Sequence, residues 1–201
     1  MGAGIVGKSL VAAALIVVAG LSSAAQASSA MPTGGRSTQP IGHWEFCQSN
    51  PAPCAVTSRN TAPIRLTKGI WSEIVAVNNR INAEITPMTD MEMWGREEFW
   101  SYPDGRGDCE DYVLEKQRAL MALGLPASSL LITVVRQPNG DGHAVLTART
   151  DRGDFILDNL EPRVLGWLET DYTFLKRQSE RSASAWTAIE DGRSVAVGSV
   201  R

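Results

Sequence analysis

The feature that most restricts the fold is a series of three short, strand-like runs in the second half of the chain. They cover residues 130–136, 143–150 and 154–160 and are rich in apolar and β-branched side chains. Turn-forming residues separate them, with Pro-Asn-Gly-Asp-Gly at 138–142 and Asp-Arg-Gly at 151–153. The pattern therefore predicts an antiparallel meander of three strands.

Two amphipathic helices are predicted upstream of these strands. In residues 67–85 apolar side chains recur at three- and four-residue steps, with Thr67 as N-cap and Pro87 as the stop. A second helix is predicted over 109–123, with Gly124 at its C-terminal end. A helical half followed by a sheet half indicates an α+β fold in which the second helix packs on the sheet.

The remaining segments have weaker patterns. Residues 88–107 are too irregular for regular structure, and their tryptophans either wall a cleft or pack beneath a long connection. Residues 161–201 are poorly patterned apart from 167–175, and 195–197 are a candidate edge strand. We therefore predict little regular structure in these two parts of the chain.

The first thirty residues have the composition of a secretory signal. Lys8 precedes an apolar run at 10–21, and Ala25-Gln26-Ala27 fits the small-x-small rule for cleavage. The run is shorter than the ~20 residues that a membrane-spanning helix needs. We predict a signal peptide over 1–27 and a periplasmic or secreted protein with no stable membrane span after cleavage; an uncleaved anchor is the alternative.

Composition limits the rest of the chain. Residues 28–40 contain few apolar groups and are predicted to be a flexible lead-in. Residues 41–201 are enough for a single domain with its own core. The net charge of −3 and the lack of a Lys/Arg cluster argue against a nucleic-acid surface, so we expect a protein or peptide partner.

The chain has three cysteines and two histidines. Cys47 and Cys54 are close in sequence and are expected to form one short disulfide, which leaves Cys109 free. A free cysteine is often an apolar filler, but in an oxidising compartment an unpaired thiol is usually shielded or used. His43 is expected to be structural or solvent-facing, whereas His143 begins a predicted strand.

Cys109 lies in the first turn of its predicted helix, where the dipole and unpaired N–H groups favour a thiolate. A nucleophile also needs a base and a group that orients the base, and His143 and Asp158 can supply both. A turn over residues 149–152 places His143 directly opposite Asp158, and we predict this register. A turn at 152–153 would separate them by roughly 13 Å. The alternative role for Asp158 is a strand-end or Asx-turn residue.

Acidic residues surround the predicted nucleophile: Asp108, Glu110 and Asp111. Nearby like charges raise the pKa of a cysteine, which opposes thiolate formation. These groups either stabilise the first helical turn or bind Ca²⁺, which takes several carboxylate oxygens and would cancel the charge. Calcium at Asp108, Glu110 and Asp111 is our cofactor hypothesis.

Three motifs together resemble the bacterial transglutaminase-like cysteine proteinase family. They are Gly-Asp-Cys-Glu-Asp-Tyr at 107–112, followed by Lys116 and Leu120, then Gly-His-Ala-Val-Leu at 142–146 and Leu-Asp-Asn at 157–159. The resemblance covers most of the predicted mature chain and extends to earlier positions: Phe46, Cys47, Cys54, Trp71, Asn78, Ile81 and Asn82.

The resemblance implies a papain-like or transglutaminase-like fold with Cys109 as nucleophile, His143 as base and Asp158 as orienting residue. The best-known members of the family are periplasmic, calcium-dependent proteases that cleave large surface adhesins and release biofilm cells, under control of an inner-membrane receptor. It therefore also implies a Ca²⁺ cofactor, an adhesin substrate and a regulatory receptor as partner.

We predict an exported cysteine endopeptidase that acts through a thioester acyl-enzyme. Transfer of the acyl group to an amine, as in transglutaminases, is an alternative that uses the same residues. A non-catalytic binding module of the same fold is a second alternative. Loss of the nucleophile, base or orienting residue would mark such a module, and this chain has all three.

Overall fold

A seven-stranded antiparallel sheet forms the centre of the computed structural model, which describes residues 1–2 and 30–192. Its strands are β1 (Thr33–Ser37), β4 (Leu130–Arg136), β5 (Gly142–Thr150), β6 (Gly153–Leu157), β7 (Leu165–Gly166), β8 (Thr173–Ser179) and β9 (Ser182–Ile189). Their order across the sheet is β1-β9-β8-β4-β5-β6-β7. A separate parallel pair consists of β2 (Thr86–Pro87) and β3 (Arg106–Gly107).

The helices of the described residues mostly precede the sheet strands along the chain. They are α1 (Ile41–Ser49), α2 (Pro51–Cys54), α3 (Lys68–Glu84), α4 (Asp90–Trp94) and α5 (Cys109–Ala122). Helix α5 packs against β4 and β5 on one side and against α3 on the other. The predicted α+β fold, with helices before an antiparallel sheet, is confirmed.

The two helices predicted from periodicity are both present, and their ends follow the predicted signals. The Thr67 hydroxyl accepts a hydrogen bond from the backbone N–H of Ile70, at 3.2 Å, and so caps α3. After α5, Gly124 adopts a φ of +91°, a conformation that favours glycine. Hydrogen bonds from the N–H groups of Gly124 and Leu125 back to the last turn complete a Schellman motif.

The predicted meander is confirmed as β4, β5 and β6, but the predicted register of β5 and β6 is wrong by two positions. Thr150 pairs with Gly153, so the turn contains only residues 151–152. The Thr150 hydroxyl closes this turn by donating to the Gly153 carbonyl, at 2.8 Å, and accepting from Arg152 N–H. Because side chains alternate with a period of two, His143 and Asp158 still share one face.

Three segments are more ordered than the sequence patterns predict. The predicted lead-in contains β1, whose backbone pairs with β9 and forms one edge of the sheet. Segment 88–107 contains α4, which begins with a reciprocal capping box between Thr89 and Glu92. Strand β8 was missed because the buried polar side chains of Arg177 and Gln178 interrupt its apolar alternation, and β9 because serine, alanine and threonine occupy most of its positions.

Some predictions concern residues outside the described part of the chain. These are most of the predicted signal peptide, the first residues of the lead-in and the candidate edge strand at 195–197. Within residues 1–2 and 30–192, no helix is both long and apolar enough to cross a lipid bilayer.

The predicted disulfide joins α1 to α2 through Cys47 and Cys54, whose Cα atoms are 5.6 Å apart. Beside it, His43 is buried and makes edge contacts with the rings of Trp100 and Trp186. Burial lowers the pKa of His43 to about 4. Its predicted structural role is therefore the one that the fold supports, because a buried neutral imidazole packs between the helices and β9.

We expect the double variant Cys47→Ser/Cys54→Ser to unfold with a free energy lower by about 2–3 kcal/mol, because the disulfide restricts the unfolded chain. Urea unfolding of the oxidised protein and of the variant measures the difference. Reducing agent should lower the stability of the unsubstituted protein to that of the variant and leave the variant unchanged. Equal midpoints for the oxidised protein and the variant would contradict this expectation.

Candidate active site

Cys109 is the first residue of α5 and the free cysteine that the sequence predicts. Its thiol donates a hydrogen bond to a carboxylate oxygen of Glu110, at 3.2 Å. Burial raises the pKa of Cys109 well above its usual value, and the charge of Glu110 raises it further. A hydrogen bond from the backbone N–H of Ala144 opposes these effects and places the thiol against β5.

His143 lies near the start of β5, adjacent in the chain to Ala144, and Asp158 follows the last residue of β6. The His143 Nε2 atom and an Asp158 carboxylate oxygen are 2.8 Å apart, and both side chains are buried. The structure thus brings the predicted base and orienting residue into direct contact. Among the described residues, the thiol and the imidazole share no direct hydrogen bond.

Several groups hold the Asp158 carboxylate in place. One oxygen accepts from His143 and from the Leu160 N–H, and the other accepts from the Tyr172 hydroxyl. The Asn82 side chain donates to the Asp158 carbonyl, at 2.8 Å. Burial alone would raise the pKa of Asp158, but the hydrogen bond and charge of His143, with the other donors, lower it overall. The carboxylate is therefore ionised at neutral pH.

The Asx-turn role that we considered for Asp158 is also present, since its carboxylate accepts from the backbone two residues ahead. One group therefore ends the strand and orients the imidazole. Tyr172 is a site residue that sequence reasoning missed. Its ring lies 5.6 Å from that of His143. It lies in residues 167–175, the better patterned part of 161–201, but no local motif distinguishes it.

An acidic cluster lies beside the thiol. Ligand oxygens of Asp90, Asp108 and Glu110 are all within 4.8 Å of one another. One oxygen of Asp90 and one of Asp108 are buried without a hydrogen-bond partner. Burial, together with the hydrogen bond and charge of Asp108, raises the pKa of Glu110 to about 10. This is the electrostatic signature of crowded carboxylates that lack a counter-charge.

The cluster differs from the predicted set by one residue. Asp111 is not in the group of three; one of its oxygens accepts from the Ser101 backbone N–H at 2.8 Å, and the other is buried without a hydrogen-bond partner among the described residues. Burial raises the pKa of Asp111 to about 7. The third member of the cluster is Asp90, the first residue of α4, which lies in a segment that was predicted to be irregular. The Thr-x-x-Glu capping pattern at 89–92 is the sequence signal that could have placed a helix there.

A family profile described as bacterial transglutaminase-like cysteine proteinase (BTLCP) matches residues 33–194. The chain belongs to this family. It is therefore a cysteine peptidase, and its substrate is a protein. The family resemblance carried by the motifs around Cys109, His143 and Asp158 is thus confirmed.

Solved structures that resemble this BTLCP family member include three of LapG from Legionella pneumophila. One has 24% identity, a TM-score of 0.50, and covers 75% of this chain and 82% of that chain. An EGTA-treated form has 23% identity, a TM-score of 0.51, and covers 79% and 87%. A calcium-bound form has 23% identity, a TM-score of 0.48, and covers 70% and 77%. A search of curated protein sequences finds no match.

The hydrogen bond from Tyr172 stabilises the ionised Asp158. We expect Tyr172→Phe to lower the free energy of unfolding at neutral pH by about 1–2 kcal/mol, the usual range for a hydrogen bond to a charged group. Because the folded pKa of Asp158 is below the usual value of 3.8, this contribution is present above that value and is lost as the pH falls through the folded pKa.

Urea unfolding as a function of pH measures this contribution. Tyr102→Phe is the matched control, because it removes the hydroxyl of another partly buried tyrosine that makes no hydrogen bond with Asp158. A Tyr172→Phe effect that is independent of pH down to strongly acid solution would show that the hydroxyl does not act on the carboxylate.

Proposed function

We propose that this cysteine peptidase is an exported endopeptidase that uses Cys109, His143 and Asp158 as nucleophile, base and orienting residue. The observation that carries the proposal is the buried His143–Asp158 hydrogen bond beside the thiol at the N-terminus of α5. Ala144 connects Cys109 to the His143–Asp158 pair, because its backbone N–H donates to the thiol and the residue before it is His143.

In this mechanism the Cys109 sulfur attacks the scissile carbonyl carbon, and the thiol proton passes to His143. Since Nε2 of His143 faces Asp158, Nδ1 is the nitrogen available for this proton. The tetrahedral intermediate collapses to a thioester, and the imidazolium protonates the departing amine. Water, deprotonated by His143, then hydrolyses the thioester and restores the thiol. Backbone N–H groups at the start of α5 stabilise the oxyanion.

Asp158 contributes through charge and orientation. Its ionised carboxylate holds the imidazole by the 2.8 Å hydrogen bond and stabilises the imidazolium that forms during the reaction. Because His143 and Asp158 are both buried, their interaction is little screened by water. Burial also disfavours the charged form of the carboxylate, and the hydrogen bonds from Leu160 and Tyr172 help to keep it ionised.

The acidic cluster fits a Ca²⁺ ion. Its three members offer only carboxylate oxygens, the ligand type that calcium prefers, and two of these oxygens are buried and unpaired. We propose that Asp90, Asp108 and Glu110 hold the ion. When bound, its positive charge favours the ionised carboxylates and the Cys109 thiolate. The calcium-bound and EGTA-treated forms of Legionella pneumophila LapG accord with this proposal.

The substrate and cellular context are proposed from the family resemblance. We propose that the enzyme acts in the periplasm, after removal of the 1–27 signal peptide, on a large cell-surface adhesin. An inner-membrane receptor is the proposed regulatory partner. In this setting cleavage of the adhesin would release biofilm cells, and the Cys47–Cys54 disulfide suits an oxidising compartment.

The central prediction is cleavage of the N-terminal region of a large adhesin by the protein lacking residues 1–27. We expect Cys109→Ala to lower the rate by about a thousandfold or more, since the nucleophile forms the acyl-enzyme. Gel electrophoresis and mass spectrometry identify the products. A labelled primary amine in the reaction detects acyl transfer, and its Cys109-dependent incorporation without hydrolysis would replace endopeptidase action with transglutamination.

The metal proposal is tested separately by terbium luminescence and calcium titration calorimetry. We expect Asp90→Asn and Asp108→Asn each to weaken calcium binding by about tenfold or more. Asp104→Asn, an exposed carboxylate in the same segment, is the matched control. Chelation should lower the cleavage rate and added Ca²⁺ should restore it. Binding that is unchanged in both cluster variants would place the ion elsewhere.

A further inference from the structure

Lys116 is a fully buried lysine in the interior of α5, with an exposed fraction of 0%. Its ammonium nitrogen has no hydrogen-bond partner among the described residues. The nitrogen lies 5.8 Å from the centre of the Tyr112 ring, which offers only a weak cation–π contact. Lysines are almost never fully buried unless they are paired, so we expect a nearby negative charge that offsets the free-energy cost of burying this ammonium group.

The carboxylate of Asp158 is the charged group that acts on Lys116. Burial lowers the pKa of Lys116 to about 7, and the charge of Asp158 acts in the opposite direction to keep the lysine protonated. Lys116 follows Cys109 by about two turns of the same helix, so it lies below the site rather than in contact with the reacting atoms. Its charge acts on the orienting residue from the side of α5.

Three asparagines in or in contact with residues 158–162, the segment that carries Asp158, have hydrogen-bond acceptors without a partner among the described residues. The amide oxygens of Asn78, Asn82 and Asn159 are buried and have no hydrogen-bond partner. The two α3 asparagines also donate to this segment, Asn82 to the Asp158 carbonyl and Asn78 to the Pro162 carbonyl. A buried ammonium with three N–H donors and three buried amide oxygens are chemically complementary groups.

We propose that Lys116 is a positioning residue for the Asp158–His143 pair. Its ammonium keeps the buried carboxylate ionised and, with the asparagine oxygens, fixes the 158–162 segment that carries it. The catalytic part of this inference rests on the proposed function of the triad. Its structural part, the dependence of the His143–Asp158 hydrogen bond on Lys116, stands apart from peptidase activity.

The test replaces Lys116 by methionine, which keeps the length and apolar stem of the side chain but removes the charge, and by arginine, which keeps the charge. Lys176→Met is the matched control, because Lys176 lies on β8 and donates to the Thr38 carbonyl, away from Asp158. The chain has only two histidines, so ¹⁵N-histidine NMR of the Cys109→Ala protein reports His143 cleanly, with His143→Ala for assignment.

We expect Lys116→Met to shift or broaden the hydrogen-bonded imidazole N–H signal of His143, and Lys176→Met to leave it unchanged. In the active enzyme, Lys116→Met should lower kcat by about tenfold with KM nearly constant, because the lysine acts on the catalytic pair and not on substrate binding. Lys116→Arg should recover part of kcat. The NMR result remains informative even if the proposed peptidase reaction fails.

The pH profile separates a positioning role from a packing role. The titratable groups that act on Asp158 are His143, Tyr172, Glu161 and Lys116. Removing the positive charge of Lys116 raises the pKa of Asp158, so the acid limb of kcat/KM moves to higher pH. An unchanged acid limb and an unchanged His143 signal in Lys116→Met would overturn the proposal.

A double-mutant cycle keeps the test valid if Lys116→Met folds poorly. Lys116→Met in an Asp158→Asn background removes both buried charges, so the combined variant should be more stable than Lys116→Met alone. Urea unfolding measures all four proteins. Strictly additive effects on the free energy of unfolding would show that Lys116 and Asp158 do not interact and would also overturn the proposal.

Discussion

The packing of α5 between α3 and the β4–β5 pair is the constraint on which the rest of the site depends. It places the N-terminal thiol of the helix against the backbone of Ala144, so that the residue before it, His143, is adjacent. The same helix carries the buried Lys116, on which the charge of Asp158 acts. A shift of α5 along the sheet would therefore move both the Cys109 thiol away from His143 and Lys116 away from Asp158.

The buried carboxylates near Cys109 have pKa values shifted in opposite directions, up for Glu110 and down for Asp158. Toward α4, Asp90 and the acidic residues that flank the thiol concentrate negative charge and raise the thiol's pKa. Toward α3, Asp158 receives enough donors and positive charge to remain ionised despite burial. The proposed Ca²⁺ and the proposed role of Lys116 would each supply positive charge that offsets the free-energy cost of burying ionised carboxylates.

Sequence patterns correctly predicted the elements that are set by interactions between residues close together in the chain. Periodicity and caps found α3 and α5, and turn residues between β-branched runs found β4 to β6. The same reasoning missed β8, since buried Arg177 and Gln178 break its alternation, and β9, since most of its side chains are small or polar. It also placed the β5–β6 turn two residues from its observed position, because the hydroxyl of Thr150 selects a tighter turn. The face shared by His143 and Asp158 survived this error because side-chain direction repeats every two residues.

The sequence by itself determined the disulfide pair, the free Cys109 at a helix start, and the shared face of His143 and Asp158, because these follow from spacing, from the small number of cysteines and from the two-residue period of strands. Only the tertiary structure decided that Asp90 joins the acidic cluster, that Tyr172 holds Asp158, and that Lys116 is buried near it. The reason is physical: these contacts join segments far apart in the chain, and their partners are chosen by the packing of α3, α4 and α5 on the sheet, which no local pattern encodes.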